Sequence, residues 1–115
     1  MTQCEQLCPL DLEDGLARAG GEKDCYKELL ELFLEDVPQR LTELSSALGA
    51  NDAARVASAA HSIKGAAANL SAMPVRETAY ALETKGRSAD LDGAPQLLTQ
   101  LESEIRRLAE FVASY

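Results

Sequence analysis

Tryptophan is absent from the 115-residue chain, and its aromatics amount to two phenylalanines and three tyrosines. With aromatic and β-branched residues scarce and leucine and alanine abundant, the composition favours helices over sheets. Positive charge is also short: 11 Lys and Arg stand against 19 Asp and Glu, a net charge of −8. Phosphate backbones would be repelled, so no nucleic-acid partner is expected, and an anionic membrane surface is an equally poor match. No run of about 20 apolar residues exists to form a transmembrane helix. The N-terminus, Met1-Thr2-Gln3-Cys4-Glu5, lacks the basic stretch and apolar run of a signal peptide. A cytoplasmic location follows as the expectation. Three cysteines, Cys4, Cys8 and Cys25, are an odd count and read as thiols rather than a disulfide framework. Cys4 and Cys8 with His61 fall short of the roughly four ligands that zinc needs, so no metal site is expected. The Gly-rich nucleotide loop G-x-x-x-x-G-K-[ST] is missing, as is an acidic cluster of the kind that holds Mg²⁺. The chain should neither bind ATP nor phosphorylate itself.

What is present fits one helical domain over residues 1–115, with about 1–9 a partly ordered lead-in. Asp11 is placed to cap a short helix ending near Ala19, with Leu12 and Leu16 facing inward and Gly20-Gly21 stopping it. A long second helix, about residues 24–48, carries Tyr26, Leu30, Phe33, Val37, Leu41, Leu44 and Leu48 at spacings of three and four, widened by Leu29, Leu32 and Leu34. Pro38 falls inside this stripe, yet the stripe keeps its phase across it, which predicts one bent helix rather than two. Gly49 is the expected stop. The third helix, about 52–70, has a core stripe of Val56, Ala60, Ile63, Ala67 and Leu70. Pro74 suits the first turn of a fourth helix, about 74–88, with Val75, Ala79 and Leu82 inward and Arg76, Glu77, Glu83, Lys85 and Arg87 outward. The fifth, from about Ala94, buries Leu98, Leu101, Ile105, Leu108 and Val112 and turns Glu102, Glu104, Arg106, Arg107 and Glu110 to solvent. The expected fold is all-α: an antiparallel up-down four-helix bundle with a short additional N-terminal helix.

The stretch Ala-Ala-His-Ser-Ile-Lys-Gly-Ala-Ala-Ala-Asn-Leu-Ser-Ala, residues 59–72, holds the only histidine of the chain. At 100° per residue Lys64 lies about 60° from His61 on one side and Gly65 about 40° on the other. Ala57, Ser58 and Ala68 share that meridian. The core stripe is centred roughly 140° away, so His61 stands outside it among small residues. Glycine within a helix costs roughly 1 kcal/mol relative to alanine. Its presence at 65 therefore reads as room left for something large to approach an imidazole.

These residues resemble the signature of the histidine-containing phosphotransfer (HPt) domain family, which runs His, two residues, Lys-Gly, two small residues and, a few residues on, Gly-Ala. The match is at His61, Lys64, Gly65, Ala66, Ala67 and Ala72. It departs at Ser71, where the family usually has glycine, which bears on the turn after the helix rather than on the phosphate chemistry. The resemblance implies a phosphorelay carrier, in which His61 accepts a phosphoryl group from a receiver-domain aspartate and passes it to another. Neutral imidazole is the nucleophile, and a free imidazole titrates near pH 6.5, leaving a neutral fraction at physiological pH. Lys64 would neutralise phosphate charge. Gly65, Ala68, Ser58, Ser62 and Asn69 would border the partner's approach, and Glu83 and Arg87 would orient the imidazole or the phosphate. The implied partners are receiver domains of response regulators or of hybrid sensor histidine kinases, with no cofactor and any Mg²⁺ supplied by the receiver.

Two other readings are compatible with the residues: a phosphate-independent docking module for a receiver domain, and autonomous dephosphorylation of a receiver. The charged outward faces leave no spare apolar stripe, so a monomer is expected. A one-chain mass in solution at micromolar concentration is the predicted result, and a dimeric mass would overturn it.

Overall fold

The computed structural model describes residues 10–115, which form five α-helices and, among the described residues, no strand. They are α1 (Leu12–Arg18), α2 (Lys23–Gly49), α3 (Ala53–Asn69), α4 (Met73–Arg87) and α5 (Ala94–Ser114). The helices α2 to α5 close a ring of contacts: α2 packs on α3, α3 on α4, α4 on α5 and α5 on α2, with α3–α4 the most extensive pairing. No described helix is long and apolar enough to cross a membrane. The lead-in, with Cys4 and Cys8, lies outside the described residues; Cys25 is an exposed free thiol.

Local chemistry explains the boundaries. Asp11 caps α1 and Asp52 caps α3, each carboxylate accepting from the backbone N–H three residues on, at 3.2 Å. Pro74 and Pro95 sit in the first turns of α4 and α5, where a missing N–H costs nothing. The α2 helix runs unbroken through Pro38, and the Thr42 hydroxyl donates to the Pro38 carbonyl at 3.0 Å. Chain reversal after α2 differs from expectation: Gly49 is its last helical residue, and Asn51 takes the left-handed conformation, φ 55°. Asparagine tolerates that region better than most side chains.

The core gathers the apolar stripes of all four long helices, including Tyr26, Leu30, Leu44, Ile63, Leu82, Leu101 and Leu108. A fully buried leucine of this kind contributes about 1.5–3 kcal/mol over an exposed one. Several expectations fail. Leu12, Leu29 and Leu32 are exposed rather than inward; on α1 it is Gly15 that faces the core, directly against the Tyr26 ring. Glu104, expected in solvent, is buried on α5, where its Oε2 accepts from the Gln100 amide at 3.2 Å.

The α1 helix is clipped to the α3–α4 turn by directed bonds. Ser71, buried at φ 57°, donates its hydroxyl to Asp14 Oδ2 at 2.5 Å, and its carbonyl accepts from Asp11 N–H at 2.8 Å. The backbone here takes the region that favours glycine, and the serine offsets the strain with a bond glycine cannot make. That hydroxyl also holds the Asp14 carboxyl below its ordinary range, with the Arg18 guanidinium adding to the effect. Fully buried Tyr26 donates its O–H to the Leu70 carbonyl at 2.6 Å, and burial pushes the phenol up to about 12. Replacing Tyr26 by Phe leaves that buried carbonyl without its partner. Urea denaturation should then show a loss of about 1–3 kcal/mol.

Candidate functional site

His61 projects from the middle of α3, on the side turned away from Ile63 and toward α4. Its side chain is 60% exposed. The small residues predicted around it are where the pattern placed them. A Cβ added to Gly65 would meet nothing within 4 Å, so the space beside the ring is open. Ser58, Ser62 and Asn69 are exposed and Ala68 is half-buried. The Ser62 hydroxyl is engaged within its own helix, donating to the Ser58 carbonyl at 3.3 Å.

The residue that organises the site is Glu83 of α4. Expected among the outward charges, it is instead one of the most buried side chains in the molecule, 2% exposed. Burial of an unpaired carboxylate is costly, and three cationic or hydrogen-bonding groups meet it. His61 Nδ1 lies 2.9 Å from Oε2, and Arg87 Nη2, one turn along α4, lies 2.6 Å from the same oxygen. Lys64 Nζ stands 2.8 Å from Oε1, at an oblique angle that makes the contact an ion pair rather than a directed hydrogen bond. The Lys64 ammonium also lies 5.3 Å from the centroid of the exposed Tyr80 ring, which steadies it by cation–π attraction. Thus the structure brings together His61, Lys64, Glu83 and Arg87 from two adjacent helices.

Charge and tautomer follow from this geometry. The Lys64 contact first, and the His61 hydrogen bond and Arg87 charge after it, hold the Glu83 carboxyl below its ordinary value of 4.5 against the opposing effect of burial. An ionised carboxylate can only accept, so Nδ1 of His61 carries the proton. In the neutral ring Nε2 is then a bare lone pair, and no described residue occupies it. Such an arrangement suits nucleophilic attack by Nε2, with two cations gathered on the carboxylate that Nδ1 meets.

Two contributors escaped the sequence pattern. Tyr80 gave no signal, being an isolated exposed aromatic. Gly86 gave a weak one, a glycine inside a helix: it is buried where α4 crosses α3. Among the described residues no group of three or more His, Cys, Asp and Glu side chains could hold a metal ion, and the cysteines considered with His61, Cys4 and Cys8, lie outside them.

Comparison with known proteins points to one family. A family model described as "Hpt domain" matches residues 28–111. The fold is similar to the crystal structure of histidine-containing phosphotransfer protein B from Pseudomonas aeruginosa PAO1, with a TM-score of 0.85, 31% sequence identity and 93% of each chain covered. No curated protein matches the chain.

Because the folded-state Glu83 carboxyl titrates below its ordinary value, its contribution to stability is complete above about pH 4.5 and is lost as pH falls through the folded value. Glu83→Gln should therefore be less stable than the wild type at neutral pH. Urea midpoints compared across pH should show that gap closing as pH falls below about 4.5.

Proposed function

The chain belongs to the Hpt domain family and has a histidine phosphotransfer role in a phosphorelay; from this premise we propose that His61 is the residue that carries the phosphoryl group. The observation that supports this best is the 2.9 Å contact between Nδ1 and the Glu83 carboxylate, which leaves Nε2 of an exposed ring free to react.

In the forward step the Nε2 lone pair attacks the phosphorus of a receiver's aspartyl phosphate. An N–P bond forms as the acyl P–O bond breaks, and the aspartate carboxylate departs with the electron pair. The imidazole keeps its Nδ1 proton and becomes cationic as the bond forms. Glu83 faces that developing charge, much as a buried carboxylate supports an imidazolium in a hydrolase triad. No proton has to leave the ring in either direction, which suits a group that must be accepted and then given away. Lys64 and Arg87 are held on Glu83 and stand ready for the three charged oxygens on Nε2, where preorganised positive charge lowers the barrier. Gly65 and Ala68 leave the approach open, and Ser58, Ser62 and Asn69 form its border.

Hpt domains interact with receiver domains of response regulators, and we read the partners here as receivers of response regulators or of hybrid sensor histidine kinases. The chain acts as a carrier without ATP-dependent kinase activity of its own. It needs no cofactor, since any Mg²⁺ belongs to the receiver. We read the five helices as one domain, an antiparallel up-down four-helix bundle with α1 as the additional N-terminal helix, because sequential neighbours pack in a closed ring through short connections. A cytoplasmic monomer without nucleic-acid or membrane binding fits the net charge of −8.

Incubation with a phosphorylated receiver, followed by intact mass, should show one phosphoryl group on the wild type, labile in acid and stable in alkali. His61→Gln should accept none while still binding the receiver. Transfer to His61→Gln, or none to the wild type from any of a panel of receivers, overturns the assignment. Glu83→Gln should slow transfer by roughly tenfold to a hundredfold, because it keeps an acceptor but loses the charge.

A further inference from the structure

Gly86 lies in the last turn of α4, one residue before its end at Arg87, and is buried against α3. A Cβ built there would stand 2.6 Å from the backbone nitrogen of Ala57, 2.8 Å from the carbonyl oxygen of Ala53 and 2.9 Å from the Cα of Ala57. All three are backbone atoms of α3, which cannot rotate aside as a side chain can. An alanine at 86 can therefore be accommodated only by moving one helix away from the other. Gly65, also helical, has nothing within 4 Å, so the constraint belongs to Gly86 and not to helical glycine in general.

The position of this contact matters more than its tightness. Gly86 is three residues from Glu83 on one face of α4, and Ala57 is four residues from His61 on one face of α3, so the crossing lies one helical turn from the His61–Glu83 hydrogen bond. Glu83 also reaches Lys64 across the same gap, at 2.8 Å. A hydrogen bond from nitrogen to oxygen holds over only a narrow range, about 2.7–3.2 Å, and weakens steeply as its angle is lost. We propose that Gly86 is a positioning residue for phosphotransfer: by letting α4 lie backbone to backbone on α3, it brings the Glu83 carboxylate within reach of His61 Nδ1 and so fixes the tautomer that leaves Nε2 reactive. The proposal rests on His61 being the carrier and adds a residue that touches neither the ring nor the phosphate.

The chain has a single histidine, so its ring nitrogens can be read without ambiguity by long-range ¹H–¹⁵N correlation. Wild type, Gly86→Ala, Glu83→Asp and Val112→Ala are to be compared for tautomer and for the rate of transfer from a phosphorylated receiver, under conditions where each is folded. Val112 is a buried α5 residue remote in sequence from the crossing. Its truncation lowers stability while leaving the α3–α4 contact alone, and it should keep the Nδ1–H form and a wild-type rate. Gly86→Ala should populate the Nε2–H form and transfer at least about tenfold more slowly, a loss that a purely stabilising glycine would not produce. Glu83→Asp shortens the reaching arm with the helices in place, and should lose both readouts in the same way. A folded Gly86→Ala protein with the wild-type tautomer and rate overturns the proposal. If Gly86→Ala does not fold, wild-type behaviour of Glu83→Asp overturns it instead, since reach would then not be limiting. Failure of the wild type to take phosphate overturns the carrier reading itself and Gly86's part in it, whereas intact wild-type transfer with an unmoved Gly86→Ala overturns the role of Gly86 alone.

Discussion

A carboxylate cannot be withdrawn from water alone, and the burial of Glu83 governs the site. Its two oxygens are met by an imidazole N–H, an ammonium and a guanidinium, drawn from two helices and spaced so that each contact falls between 2.6 and 2.9 Å. An anion at the centre of a site proposed to receive another anion looks contrary at first sight. The resolution is that Glu83 assembles the cations. Lys64 and Arg87 would otherwise be flexible surface side chains, dispersed by rotamer entropy. Pinned to a buried partner, they wait beside the ring, and the same carboxylate fixes which ring nitrogen holds the proton.

This arrangement depends on a scaffold that lets two backbones approach. Ala53 and Ala57 of α3 meet Gly86 of α4 backbone against backbone, so no side chain separates the helices at that crossing. Bulk is supplied elsewhere, by the leucines and the tyrosine of α2 and α5, which fill the core and hold the pair together from behind. At the far end, Ser71, Asp14 and the Tyr26–Leu70 bond secure the turn that joins α3 to α4. Rigidity is thus placed at the hinge of the pair, while the His61 ring remains open to solvent.

Most of the fold was legible from periodicity, because a stripe of leucines at spacings of three and four needs no tertiary knowledge to be read. His61 was legible too, since it stood off the core stripe among small residues. A carboxylate on a helix flank is ordinarily solvated; Glu83 is buried because His61 and Lys64 of the neighbouring helix meet it, whereas Glu104 is met from its own helix, by Gln100. Glu83 sits about 40° around α4 from buried Ala79, at the edge of the apolar stripe, where the wheel alone does not decide. Gly86 gave only the weak sign of a glycine inside a helix, because the reason for it lies in a neighbouring backbone. Leu12, Leu29 and Leu32 were assigned inward by hydrophobicity, yet the core had no more room on those faces, and exposed leucines are common on folded surfaces.

His61 and Glu83 are 22 residues apart, joined by the short turn between α3 and α4. Every residue of the four-member charge cluster lies within that one helical hairpin. The entropy of bringing its ends together is small, because loop-closure cost rises only slowly with length and here the loop is mostly helix. Contacts of such low contact order are the ones a folding chain makes early and re-forms quickly after a local opening. The chemistry has thereby been placed in the segment of the chain that finds its own partner fastest, and the long-range closure of α5 on α2 is left to hold it rather than to build it.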